Sequence, residues 1–126
     1  MLELCRLKDI PDGGARGFAV EGPELALRLI VVRRGRAVYG YVNRCPHVPT
    51  RLDHDIGDFL DETGSHLLCG GHAALFRIED GVCIDGPCEG EALRRVALRM
   101  EGERVWLDRS GVALVDEISK VMSDLG

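Results

Sequence analysis

The pairs 45-CPH-47 and 69-CGGH-72 constrain this chain more than any other feature. Cys45 stands two residues before His47 and Cys69 three before His72, with twenty-one residues between the pairs. Two thiolates and two imidazoles suit either a tetrahedral zinc site or a two-iron, two-sulfur cluster in which histidine replaces cysteine on one iron. Either group requires a fold that brings two distant loops to one point. Each pair follows a β-like run, 36-RAVYGYVN-43 and 66-HLLC-69, so rigid strands would present the ligands from loops at their ends. Pro46 restricts its own φ to about −65°. Gly70 and Gly71 permit unusual backbone angles and close approach of a bulky group. A third loop, 86-GPCEG-90, has the composition to cover the site.

The rest of the chain reads as all-β, a small antiparallel sandwich or barrel. Strand-like runs are 3-ELCRL-7, 16-RGFAV-20, 24-ELALRLIVV-32, 36-RAVYGYVN-43, 66-HLLC-69, 74-ALFRIE-79, 93-LRRVALRM-100 and 104-RVWLD-108. Turn signals at Asp12-Gly13-Gly14, Glu21-Gly22-Pro23, Arg34-Gly35, Thr63-Gly64, Asp80-Gly81, Gly86-Pro87 and Glu101-Gly102 separate them. The run 24–32 also carries helix-favouring Leu and Ala, but its β-branched ending and the short turn after it favour a strand. After Gly111, Leu114, Ile118, Val121, Met122 and Leu125 recur at three- and four-residue intervals, which predicts a short C-terminal helix. At 126 residues the chain has the size of one domain, read as a β domain over 1–109 with a helical extension over 110–126.

Composition narrows the function classes. A formal net charge of −5 argues against nucleic-acid binding, which rests on clustered cations. The N-terminal stretch lacks the pattern of a secretory signal and no run reaches membrane-spanning length, so the expectation is a cytoplasmic, soluble protein without a membrane partner. Five cysteines cannot all pair internally, and in a reducing compartment Cys/His spacing reads as metal binding. No G-x-G-x-x-G fingerprint is present, so the chain reads as a component rather than a complete enzyme.

Over roughly residues 3 to 108, the segments 45-CPH-47, 69-CGGH-72 and 86-GPC-88 resemble the Rieske [2Fe-2S] proteins, in particular the Rieske-type ferredoxins of bacterial oxygenase systems. The resemblance implies one [2Fe-2S] cluster per chain, with Cys45 and Cys69 on one iron and His47 and His72 on the other through Nδ1. It implies a one-electron carrier between a reductase and a terminal oxygenase or other oxidoreductase. Mixed ligation has a simple electrostatic logic. Two ferric ions and two sulfides sum to +2, and two thiolates neutralise that charge where four would leave −2. Such centres therefore lie between about −150 and +300 mV, against about −400 mV for plant-type clusters.

Departures from the family pattern refine the expectation. High-potential members join their ligand loops by a disulfide, and the matching positions here are Thr50 and Gly71. Those members also donate hydroxyl hydrogen bonds from a serine and a tyrosine where this chain has Ala74 and Phe76, so a low-potential centre is expected. The interval between the ligand pairs is also longer than in simple Rieske ferredoxins. The added segment, 51-RLDHDIGDFLDETGS-65, holds Asp53, Asp55, Asp58, Asp61 and Glu62 and reads either as an acidic docking surface or as a solvated excursion.

The remaining chemical groups have plainer readings. Cys83 and Cys88 flank the covering loop and can pair as a redox-sensitive disulfide, although two reduced thiols, one in a strand and one beside the cluster, suit the cytoplasm better. Cys5 reads as a strand residue, His54 and His66 as structural or surface groups, and Trp106 as core packing. Two other functions fit the ligands: a small subunit of a larger reductase, such as a nitrite reductase, and a zinc-stabilised binding module.

Overall fold

The computed structural model describes residues 2–21, 26–46, 51–53, 57–70 and 74–108. The expected C-terminal helix over 110–126 lies outside the described residues, as do His47, Thr50, His54, Asp55, Gly71 and His72. Strands β1 (Leu2–Arg6), β2 (Ala15–Glu21), β3 (Ala26–Arg34), β4 (Ala37–Val42), β5 (His66–Cys69), β6 (Ala74–Arg77), β7 (Cys83–Asp85), β8 (Arg95–Val96), β9 (Leu98–Glu101) and β10 (Arg104–Leu107) follow one another, with a 3-10 turn at Leu7–Asp9. They form three antiparallel sheets, β1-β10-β9, β2-β3-β4-β8 and β5-β6-β7. Among the described residues there is no α-helix and no closed barrel.

Strand β3 organises the molecule because both of its faces are buried. Ile30 and Val32 join one apolar cluster with Tyr41, Leu67, Phe76 and Ile78 from the β4 and β5–β6 side. Leu29 packs with Val20, Val42, Val96 and Leu107, and Val31 packs with Cys5, Leu7, Ile10 and Val105. A strand covered on both sides needs a continuous apolar run rather than a clean alternation, which is what 29-LIVV-32 provides. The same burial resolves the helix-or-strand ambiguity of this segment, since only a period of two sends consecutive side chains into opposite cores.

Two hairpins close as their glycines predict. Arg34 faces Ala37 across a loop that begins with Gly35 at φ +61°, and Glu101 faces Arg104 across a loop that begins with Gly102 at φ +60°.

Three details differ from the sequence reading. The run 93–100 is two strands: Arg95–Val96 pairs with β4, Leu98–Glu101 pairs with β10, and the chain changes sheet at Ala97. Gly40 makes room for that crossing, because a Cβ there would lie 2.6 Å from Val96 Cγ2 and 2.8 Å from Leu98 Cδ1. Strand β7 falls outside the predicted runs, although Cys83 itself reads as a strand residue. Trp106 is half-buried and lies outside the buried clusters; its neighbours Val105 and Leu107 alternate inward and fill the core instead.

Candidate metal centre

Cys45 lies in the loop after β4, and Cys69 is the last residue of β5, paired in register with Ala74 at the start of β6. Both cysteines are buried in one cluster with Leu52, Ala74, Phe76, Cys83 and Cys88. The thiol half of the predicted ligand set is thus brought together, while His47 and His72 follow on segments outside the described residues.

A hydrogen-bond network fixes the two loops. The Asn43 side chain accepts from Leu52 N at 2.8 Å and donates to Asp53 Oδ1 at 2.7 Å. Arg51 donates through Nε and Nη2 to the two Asp53 oxygens at 3.1 and 2.8 Å, and Gly57 N donates to Oδ2 at 3.1 Å. Gly70 N, one residue past Cys69, donates to Leu52 O at 3.0 Å and so ties the second loop to the first. Burial alone would raise the Asp53 pKa, but hydrogen bonds from Arg51 and Asn43, helped by Gly57, outweigh it and bring the value down to about 2. Asp53 is therefore a buried carboxylate that ties Asn43, just after β4, to Arg51 and Gly57.

Within the acidic segment 51–65, two of the carboxylates have structural partners. Asp53 is only 2% exposed, and Asp61 accepts from Thr63 Oγ1, Ser65 N and His66 N while its Oδ2 lies 3.4 Å from His66 Nδ1. Asp58 and Glu62 remain exposed. The sequence signals for the network were Asn43 at a strand end two residues before Cys45, and Arg51 two residues before Asp53. His66 has the structural place expected of it, and so does Cys5, which is buried in β1.

The third loop covers this region closely. Gly86 has φ +109°, and a Cβ there would lie 2.8 Å from Ala74 Cα, so the turn approaches β6 at a distance open only to glycine. Cys88 donates to Cys83 Sγ at 2.9 Å. Burial, reinforced by Cys83 beside it, pushes the Cys88 thiol up to about 12, which keeps it protonated and sets it apart from thiols that bind metal as thiolates. A cavity of about 500 Å³ opens beside Cys45 between Pro46, Leu93, Arg44 and Arg94. Among the described residues no helix is long and apolar enough to cross a membrane.

Two thiols buried in one cluster, each shortly followed by a histidine in the sequence, are of the residue types that suit a soft metal centre. The chain is 29% identical over 109 residues to the ferredoxin component of a naphthalene 1,2-dioxygenase system of Pseudomonas aeruginosa, covering 86% of this chain and 95% of that one. Its fold is similar to that of the ferredoxin of carbazole 1,9a-dioxygenase from Nocardioides aromaticivorans, with a TM-score of 0.65, 22% identity and coverage of 85% and 97%. It is also similar to a chain in a complex of reduced oxygenase and oxidised ferredoxin in carbazole 1,9a-dioxygenase, with a TM-score of 0.66, 24% identity and coverage of 84% and 90%. The profile of the Rieske [2Fe-2S] domain matches residues 1–107, nearly the whole β portion, and the chain belongs to that family.

Proposed function

We propose that this protein is a cytoplasmic one-electron carrier that passes electrons from a reductase to a terminal oxygenase, with one [2Fe-2S] cluster held by Cys45, His47, Cys69 and His72. The observation that carries the reading is the burial of Cys45 and Cys69 in one cluster, with the Gly86 turn closing on Ala74, the register partner of Cys69, and a histidine shortly after each cysteine in the sequence. The bound cluster supplies the reversible one-electron couple. Cys45 and Cys69 contribute the thiolates that neutralise its core. Asn43, Asp53 and the Gly70–Leu52 hydrogen bond keep the two loops at a fixed separation, and the apolar side chains Leu52 and Phe76 exclude water from the sulfur side. The chain divides accordingly into a cluster domain over 1–109 and an extension over 110–126.

Ala74 and Phe76 are fully buried in the same cluster of side chains and bring no hydroxyl. The potential therefore belongs at the low end of the mixed-ligand window, at about −150 mV. Arg44 and Arg94 edge the cavity beside Cys45 together with Glu91, so a partner docking there meets two cations and one carboxylate, while Asp58 and Glu62 are exposed elsewhere. Stopped-flow mixing of the reduced protein with a ring-hydroxylating terminal oxygenase tests the function. Saturable oxidation of the carrier with matching reduction of the oxygenase is expected; a carrier that stays reduced with every such oxygenase, and accepts nothing from reductases, contradicts the reading.

A further inference from the structure

Cys83 and Cys88 take no part in the proposed ligand set, yet the fold holds their thiols side by side. Their sulfurs lie 2.9 Å apart and both residues are 2% exposed. The intervening turn is fixed at both ends: Gly90 N donates to Cys83 O at 3.1 Å, Cys83 N to Glu91 O at 2.7 Å, and Glu91 N to Cys88 O at 2.9 Å. This is the turn whose glycine, Gly86, closes on Ala74 beside Cys69. A disulfide needs about 2.05 Å between its sulfurs, so closing the bond takes a shift of roughly 0.9 Å, small for a turn that contains a glycine.

We infer that Cys83 and Cys88 form a reversible dithiol latch on the covering turn, oxidised to an intramolecular disulfide by hydrogen peroxide. The proposal goes beyond electron carriage and does not depend on which residues ligate the cluster. When the turn opens to water, one thiol ionises and its thiolate attacks peroxide, giving a sulfenic acid and hydroxide, which takes up the released proton to become water. The second thiol then attacks the sulfenic sulfur, forming the S–S bond and releasing a second water. The dithiol loses two electrons and two hydrogens, and peroxide is reduced to two waters. The oxidant must be small, and opening of the turn at exposed Glu89 and Gly90 sets the rate, because neither sulfur lies at the surface. Once one sulfur is oxidised, the neighbouring thiol intercepts it before peroxide can take it further.

Peptide mapping of the cluster-loaded protein tests this. Trypsin cleaves after Arg77 and Arg94, which puts both thiols in the single peptide 78–94, apart from Cys5, Cys45 and Cys69. After brief exposure to limiting peroxide, then denaturation and alkylation, 78–94 is expected to be two hydrogens lighter and to carry no alkyl group. Dithiothreitol should restore two alkylated thiols, and the visible spectrum should persist throughout. In Cys88→Ala, Cys83 should run on to sulfinic acid. The latch is overturned if 78–94 keeps both alkylated thiols after the cluster has bleached, or if wild-type protein gives sulfinic acid at Cys83 or Cys88 without a disulfide. Should Cys88→Ala fail to fold, the wild-type map alone still decides.

Discussion

The two faces of β3 meet two different kinds of core. On one side Leu29 and Val31 lie among aliphatic side chains from β1, β2, β4 and β10, apart from the single thiol of Cys5. On the other, Ile30 and Val32 lie against a cluster that includes four cysteines, Cys45, Cys69, Cys83 and Cys88, with Leu52, Phe59 and Phe76. The first is held by apolar burial and by the seven-residue register of β2 on β3. The second is built on three short strands, and the candidate donors lie in the loop after β4 and at the end of β5, so part of its order is expected to come from the group those donors bind. Scaffold and site share one strand but draw stability from different sources.

Removing the iron should separate the two sides most strongly. Hydrogen exchange on iron-stripped protein is expected to lose protection by ten-fold or more in His66–Asp85, with less than about two-fold change in Ala26–Arg34. Equal loss on both sides would show that the cores are not distinct. A cut into the aliphatic side should do the converse: Leu29→Ala should cost about 2–5 kcal/mol in denaturant unfolding and leave iron per folded chain unchanged.

How far the sequence reached follows the same division. The strands of the scaffold were legible because alternation and glycine turns are local signals, and β3 to β4 closes at Gly35 as its Arg-Gly pair indicates. The Cys and His positions were legible as residue types at a characteristic spacing. The sheet change at Ala97 was hidden because the run 93–100 keeps a strand-like pattern straight through it. The role of Asp53 was hidden in an acidic segment, where only the fold distinguishes a buried carboxylate that accepts four hydrogen bonds from exposed ones such as Asp58.

Smaller effects sharpen the contrast within the site. Gly86→Ala imposes a left-handed backbone on a residue with a Cβ and pushes it against Ala74, so about 1–3 kcal/mol of destabilisation is expected, with a lower cluster content at constant protein. Unchanged stability and content would mean that the turn does not press on β6.

Asp53 gives a pH signature. Its pKa falls from an ordinary value of about 3.9 to about 2, so its contribution, roughly 2–3 kcal/mol, is complete above the ordinary value and is lost as pH falls toward about 2. Unfolding free energies measured across that interval should fall with acidification, and Asp53→Asn should flatten the slope; an equal slope in both proteins would remove Asp53 from the account.

The central claim is that two loops from the thiol-containing core hold one cluster through Cys45, His47, Cys69 and His72. Iron and acid-labile sulfide, assayed per chain in freshly purified protein and in single alanine variants of all five cysteines and of His47 and His72, test it most directly. Near two of each is expected in the wild type and in Cys5→Ala, Cys83→Ala and Cys88→Ala, and near none in the other four. Stoichiometric zinc without sulfide in the wild type, or a full complement of iron and sulfide in Cys45→Ala or Cys69→Ala, would contradict it.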